Sequence, residues 1–419
     1  MVIRKLNILQ PILIIGGGIS GITTAVEAAE TGYEVILIEK LPYLGGRVVK
    51  MNQYFPKLCP PYCGLEINFS RIRRNNNIQI LTSSTIINIS GEKGNYKVKV
   101  KSAPKYVNDN CTSCGQCVNV CPVERKNEFN YGLNSIKAIY LPHEMAFPYK
   151  YNIDETVCEK ENCKKCMEVC EYDAIDFSAK EVIHEFSVSS IVIATGWRPY
   201  EAEKLHKLGY SIFKNIITNV EMERLAAPNG IENGKIRRLS DKEIPKKIAF
   251  IQCAGSRDEN HLPYCSGVCC SASLKQALNY TEKVKDGKAT IFYIDLRVTG
   301  RNEDFLKKGE KNQNINLIKG KATNIIETEN NNLIVEAEDI MSGRKIKEEF
   351  EMVILATGIV PEKIDLDIID VDEFGFVKMN KANQGIISVA CAREPTDVST
   401  SLKEATGAAL LAIQIANNS

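Results

Sequence analysis

A short apolar run, Pro11-Ile12-Leu13-Ile14-Ile15, leads straight into Gly16-Gly17-Gly18-Ile19-Ser20-Gly21. The next segment, ITTAVEAAETG, carries helical patterning that Gly32 ends as a C-cap, and a second apolar run, YEVILIEK, closes at Glu39. Strand, glycine turn, helix, strand and acid in this order predict a βαβ unit shaped to hold a dinucleotide. The glycines permit a tight turn and let the backbone approach a pyrophosphate seated at the helix N-terminus. Gly16, Gly18, Ile19, Ser20 and Gly21 are the candidate loop contacts. Glu39, with Lys40 beside it, stands where ribose hydroxyls need an acceptor.

What comes next separates a flavin from a nicotinamide nucleotide. Leu44-Gly45-Gly46-Arg47 follows Glu39 closely, as in flavoproteins with two dinucleotide-binding domains. Such proteins also carry apolar strands ending in Ala-Thr-Gly, and here there are two, SSIVIATGW (Ala194-Thr195-Gly196) and EMVILATGI (Ala356-Thr357-Gly358). The segment NIQILTSSTIINISG resembles the strand that holds the adenine, with the Ile86 backbone at the contact position. The expected cofactor is FAD, with Gly46, Arg47, Ile86, Ala194, Thr195 and Gly196 as further candidate contacts. The expected fold is α/β, a two-dinucleotide-binding-domain flavoprotein of the thioredoxin-reductase-like kind.

The two halves of an expected β-meander, YKVKVKSA and KEVIHEFSVSSIVIATG, are separated by an inserted module at 105–178. It contains an internal repeat: Cys111-x2-Cys114-x2-Cys117-x3-Cys121-Pro122, then Cys158-x4-Cys163-x2-Cys166-x3-Cys170. The first run matches the bacterial ferredoxin pattern, in which three thiolates in a tight loop hold one cube and the fourth reaches the neighbouring cube. On that logic Cys111, Cys114, Cys117 and Cys170 hold one [4Fe–4S] cluster, and Cys158, Cys163, Cys166 and Cys121 hold the other. The second run departs from the pattern by its longer first gap and by Glu171 in place of Pro. The bland alternative for these thiols is structural zinc.

KKIAFIQCAGSRDENHLPYCSGVCCSASLKQALNYTEKVKDGKATIFYIDLRVTG again reads strand, loop, helix, strand. This is where a pyridine-nucleotide flavoprotein binds NAD(P)H, but the loop Cys253-Ala254-Gly255-Ser256 lacks the later glycines, so the phosphate site is spoiled. In its place stand Cys253, Cys265, Cys269 and Cys270, four soft ligands expected to hold a third [4Fe–4S] cluster, the alternative being structural or redox thiols. Cys59 and Cys63 are candidate redox thiols; cluster ligands shared with a partner and plain packing are the other readings. Cys391 is isolated and reads as structural.

Composition bears on compartment and partners. The chain has 419 residues with 15 Cys but only 4 His, which suits thiolate-bound clusters better than Cys/His zinc modules. With 53 Lys plus Arg against 52 Asp plus Glu, there is no basic excess to favour nucleic acid or an anionic membrane. No stretch approaches the roughly 18 apolar residues of a spanning helix, and the N-terminus lacks a secretory cleavage pattern. The expectation is a cytoplasmic protein with no direct membrane span.

The glycine loop, both Ala-Thr-Gly strands, the ferredoxin module and the IQCAGSRDE…PYCSGVCC loop together resemble the A subunit of heterodisulfide reductase over essentially the whole chain. The resemblance carries the expectation of a form without the additional N-terminal domain and C-terminal ferredoxin domain of the methanogen proteins. Its short length, together with LCPPYCGLEINF, AIYLPHEMAFP and CAREPTDVSTSLKEATGAAL, is most similar to the A subunit of the quinone-interacting membrane-bound oxidoreductase of sulfate reducers. The resemblance implies an FAD and iron–sulfur electron-transfer oxidoreductase of sulfur metabolism, working with other subunits of such a complex. A membrane quinone-interacting subunit would place it at the inner face of the membrane. A soluble reductase of the adenylylsulfate reductase type, or ferredoxin, would stand on the other side, with flavin-based bifurcation as an option. Where such flavoproteins carry a Gly-Asp pair for the ribityl chain, this sequence reads Val389-Ala390-Cys391-Ala392-Arg393, leaving Arg393 or Asp397 for that role. The rival readings are a self-contained flavin–thiol disulfide or polysulfide reductase using Cys59 and Cys63, and a scaffold in which the cofactors are structural. Residues 1–104, 179–245 and 351–419 are expected to form the FAD domain in three pieces, with 105–178 as the cluster module and 246–350 as the degenerate NAD(P)H-type domain.

Overall fold

The computed structural model describes residues 10–298, 300–379 and 385–418. The expectation about a signal segment concerns residues 1–9, which lie outside the described residues. The first βαβ unit forms as the patterning predicts: β1 (Ile12–Ile15), α1 (Ile19–Glu30) and β2 (Val35–Ile38). Gly32, at φ +96°, follows the C-cap and closes α1, with its N–H bonded to the Ala29 carbonyl and the Tyr33 N–H to that of Ala28. Continuous apolar strands are buried on both faces, so they assemble in parallel. The first sheet runs Ile386–Ser388, Ser190–Ile193, β1, β2, β3 (Ile78–Leu81), all parallel. The helix Val398–Asn417 turns an alanine face (Ala405, Ala408, Ala409, Ala412) onto α1, close enough for Thr24 Oγ1 to donate to the Ala405 carbonyl at 3.1 Å.

β4 (Ser84–Glu92), β5 (Asn95–Ser102) and the strand Val182–Val188 make a three-stranded antiparallel sheet. The cluster module departs after β5 and returns into Val182–Val188, directly opposite.

A second five-stranded parallel sheet runs Ile216–Thr218, Met352–Thr357, Lys247–Ala254, Lys288–Tyr293, Ile315–Lys319. It carries its own antiparallel meander of Ala322–Glu327, Leu333–Asp339 and Arg344–Phe350. The sheet therefore recruits Ile216–Thr218 and Met352–Thr357, which the sequence boundaries assign to the FAD domain. Both strands are short and apolar, and nothing local says which of two similar sheets they join; the pairing of Ile217 with Ile354 and of Phe250 with Ile354 decides it. Two antiparallel crossings, Trp197–Pro199 paired with Ile359–Pro361, connect the halves.

At the junction of both domains and the module sits Arg224, fully buried on the helix Asn219–Ala226. Its guanidinium donates to Asn130 Oδ1 of the module at 2.8 Å, to the Lys50 carbonyl of the first domain at 3.2 Å and to the Asn229 carbonyl at 2.9 Å, and lies over the Phe129 ring. A buried pair beside it, Lys275 and Glu223 at 2.7 Å, engages the loop after Arg47: Glu223 accepts from the Asn52 N–H and Lys275 donates to the Gln53 carbonyl. No helix among the described residues is long and apolar enough to cross a membrane.

Candidate functional site

The first glycine loop has the shape of a phosphate cradle. Gly16 is at φ +109°, where a side chain is strained, and a Cβ there would stand 2.3 Å from the Ala194 carbonyl oxygen. A Cβ on Gly21 would stand 1.8 Å from the Gly16 oxygen. The start of α1 has Gly18 as its cap with no side-chain hydrogen bond and no acid in its first turn, so its N–H groups are free for an anion. Gly45 donates to the Gly17 carbonyl at 2.8 Å, and a Cβ on Gly46 would meet the Gly18 Cα at 2.8 Å, so the Leu44–Arg47 segment lies against the cradle.

Glu39 is buried at the end of β2 and accepts from the Gly17 N–H at 2.7 Å and the Leu41 N–H at 2.8 Å. Burial pushes its carboxyl pKa up, against the pull of those backbone donors. Ser84 donates its N–H to the Glu39 carbonyl at 2.9 Å, which ties the start of β4, two residues before Ile86, to the end of β2. Lys40 pairs with Glu362 at 2.9 Å. Arg47 also faces Glu362, stacks over the Trp197 ring and donates to the Trp197 carbonyl, tying the loop to the segment after Ala194-Thr195-Gly196. Thr195 Oγ1 is buried without a hydrogen-bond partner, and an unsatisfied hydroxyl beside the cradle suits a bound group that completes it. These residues fit FAD. Glu362 and Tyr131, whose hydroxyl accepts from Arg47 Nη1 at 3.4 Å, join the site through distant chain segments, and no sequence spacing marks them. Asp397 caps the helix Val398–Asn417 by accepting from the Thr400 N–H, and Arg393 pairs with Glu404 and Glu394. Cys391 is buried, its thiol near the Thr396 carbonyl and its pKa pushed up to about 11 by burial.

The module folds around two cysteine-lined pockets. One is lined by Cys111, Cys114, Cys117 and Cys170, the other by Cys121, Cys158, Cys163 and Cys166. The crossed sharing of the fourth cysteine is the arrangement that the ferredoxin spacing predicts. Ile139 lines both cavities, with Tyr151 on one side and Ile153 and Phe177 on the other, so apolar walls limit water at each. Gly115 at φ +85° and Lys164 at φ +54° cap the short helices Gln116–Val120 and Lys165–Glu168, which turn the cysteines inward. Burial and the neighbouring thiols push Cys117 up to about 12 and Cys166 up to about 11 as free thiols. Among the described residues no group of three or more His, Cys, Asp or Glu is drawn together closely enough for a single metal ion. Thiolates around a four-iron core stand wider apart than those around a single ion, so the soft, four-cysteine lining fits [4Fe–4S] groups.

In the second domain the strand Lys247–Ala254 carries Cys253 as its last residue but one, buried at φ +54°. The helix Cys269–Lys283 starts with Cys269 and Cys270, also buried. Cys269 Sγ approaches the Thr357 carbonyl at 3.6 Å, and Cys270 Sγ approaches the Asp295 carbonyl at 3.5 Å. Burial first, then Cys270, Arg257 and Cys265, shape the Cys253 pKa, which is pushed up to about 11; the four thiols therefore share one neighbourhood. Ser256 and Ser266 bond each other, and Ser266 accepts from the Ile359 N–H at 2.8 Å. A Cβ on Gly358 would meet Ser256 Oγ at 2.2 Å, so the loop fills the crevice between strand ends that a nucleotide domain keeps open.

Cys59 and Cys63 are both exposed, Cys59 in the loop before α2 (Tyr62–Arg73) and Cys63 in its first turn. Phe55 and Leu58 of that loop pack on the second domain's core.

A family model described as FAD dependent oxidoreductase matches residues 11–62, and one described as 4Fe-4S binding domain matches residues 104–124. Over 98% of its length the chain is 33% identical to the A subunit of the H2:CoB–CoM heterodisulfide, ferredoxin reductase of Methanothermobacter thermautotrophicus, of which it covers 66%. Over 85% of its length it is 38% identical to the second iron–sulfur A subunit of the CoB–CoM heterodisulfide reductase of Methanopyrus kandleri, of which it covers 55%. The chain belongs to the family of heterodisulfide reductase A subunits. It spans between about half and two thirds of the length of these relatives. Thioredoxin reductases from Lactococcus lactis and T. acidophilum superpose with a TM-score of 0.54 each, at 15% and 13% identity, covering 98% of this chain and 100% and 98% of theirs. That likeness shows the fold. By family and fold the chain is an oxidoreductase that takes FAD and at least one [4Fe–4S] cluster.

Proposed function

We propose that this chain is the FAD and iron–sulfur electron-transfer subunit of a heterodisulfide-reductase-like complex, with three [4Fe–4S] clusters. One observation carries the reading: a flavin cradle, two four-cysteine cavities and a third four-thiol loop stand in one chain, while serines close the nucleotide crevice of the second domain. FAD, when bound, takes electrons in pairs and releases them singly, and each cluster carries one at a time. The chain's own part is to fix the spacing and tune each centre. The start of α1 would bind the pyrophosphate, Glu39 the ribose and the Ile86 backbone the adenine. Arg47 would order the loop over Trp197. The apolar residues beside the module's cysteines, Ile139, Tyr151, Ile153 and Phe177, would tune the reduction potentials.

The partners we propose are a quinone-linked membrane protein of the same complex and a soluble reductase of the adenylylsulfate reductase type, with bifurcation at the flavin as the way one pair serves two acceptors. The exposure of Cys59 and Cys63 supports a second reading, a disulfide or polysulfide reductase in which that dithiol gives two electrons and two protons to the substrate's S–S bond, closes to a disulfide and is reduced again through the flavin.

The test is an anaerobic count of iron, sulfide and flavin on the purified protein, with EPR during stepwise reduction. About twelve iron and one FAD per chain are expected, and Cys170→Ser and Cys163→Ser should each remove a different signal. About eight iron would strike the third cluster from the reading. Loss of disulfide turnover in Cys59→Ala with full iron would favour the second reading.

A further inference from the structure

The second domain keeps an acid, Asp295, just after the strand Lys288–Tyr293, where a nucleotide domain would present it to a ribose. Here the acid, itself exposed, is taken by a cation. Asp295 Oδ2 holds Arg257 Nη2 at 2.9 Å, and the Asp295 backbone carbonyl faces Cys270 Sγ at 3.5 Å. Arg257 lies four residues past Cys253 and donates its N–H to the Tyr264 carbonyl at 3.1 Å, one residue before Cys265. Both Cys253 and Arg257 occupy left-handed backbone, at φ +54° and φ +55°. The other guanidinium nitrogen, Nη1, is buried with no hydrogen-bond partner. A guanidinium nitrogen shut off from water without a partner calls for a negative group, and Cys253 and Cys265 are the groups that face it. Among the charged side chains nearby, Asp258 is taken by Lys321 at 2.8 Å, and Arg297 contributes its backbone N–H to Cys270 Sγ.

We propose that Arg257, held by Asp295, is the positioning residue that sets the reduction potential of a cluster on Cys253, Cys265, Cys269 and Cys270, donating through Nη1 to its thiolates. The inference rests on the third-cluster reading above. Adding one electron to such a core makes and breaks no bond and adds one negative charge. A fixed guanidinium at the sulfurs favours the reduced state and raises the potential. The acid of a former ribose site thereby becomes the clamp for a cluster's counter-charge.

The experiment is an EPR-monitored redox titration with dithionite of the full chain, wild type against Arg257→Gln and Arg257→Lys, with iron counted in each. The expected result is full iron in all three, a midpoint shifted to more negative potential in Arg257→Gln for one cluster only, and a smaller shift in Arg257→Lys. An unshifted midpoint in Arg257→Gln at full iron overturns the proposal. Equal shifts in both variants, or loss of four iron from both, would make Arg257 a structural residue and overturn it as well. Eight iron in the wild type would instead sink the cluster reading on which it rests.

Discussion

Gly21→Ala is the most direct test of the flavin cradle. The new Cβ would lie 1.8 Å from the Gly16 oxygen, and real Cβ atoms essentially never approach closer than 3.0 Å. The first turn of α1 must therefore move from the loop by at least about 1.2 Å, more than twice the roughly 0.5 Å tolerance of a working binding geometry. The N–H groups of that turn would lose one or two charge-assisted hydrogen bonds to the pyrophosphate, each worth about 1.5–3 kcal/mol. A loss of about 3 kcal/mol is roughly a hundredfold in affinity. The assay is titration of deflavinated protein with FAD by fluorescence, with iron content as internal control, because the module folds around different residues. Gly407→Ala is the matched control: it lies in the helix Val398–Asn417 with nothing within 4 Å of its Cβ, and alanine there should stabilise by about 1 kcal/mol. FAD binding by Gly21→Ala within twofold of wild type would refute the cradle.

Arg224→Met should destabilise the folded chain by about 3–5 kcal/mol, because it leaves the Asn130, Lys50 and Asn229 acceptors buried and unpaired at the three-way junction. Denaturant unfolding followed by hydrogen exchange in residues 124–137 checks this; unchanged protection there would contradict it. The Glu39 carboxyl is raised above its ordinary 4.5 by burial, so the folded chain holds that proton to higher pH than the unfolded chain does. Its contribution to stability is present below pH 4.5 and falls as pH rises through the raised folded value, and Glu39→Gln should remove that slope from the unfolding free energy of the FAD-free protein. A wild-type minus variant difference that stays flat, or rises with pH, would refute the assignment.

How much of this was legible in the sequence depends on range. The glycine loop and the two cysteine runs are local, so spacing alone predicts the βαβ unit and even the exchange of Cys121 and Cys170 between cavities. Ile216–Thr218 was not assignable, because a three-residue apolar strand has no pattern that selects one parallel sheet over another. Arg224 reads in sequence as one more helical cation and turns out to be completely buried, since its partners come from three separate parts of the chain. Asp295 was legible as an acid at a strand end, but its partner Arg257 sits 38 positions away. Such pairings are written in tertiary geometry, where composition and periodicity have no reach.

The ladder between β5 and Val182–Val188 closes with Ser102 opposite Val182. Opposed residues of an antiparallel pair stand about 5 Å apart, so residues 103–181 leave and re-enter the sheet through a doorway no wider than an ordinary hairpin turn. To the flavin fold, the whole wired module is a decorated turn. A lineage could exchange it for another redox cartridge without the host sheet changing a single pairing, provided that the newcomer still met Arg224 and filled the core where Phe129 and Ala146 pack. Engineers could use the same socket, plugging a foreign electron carrier into a reductase by cutting and joining at Ser102 and Val182.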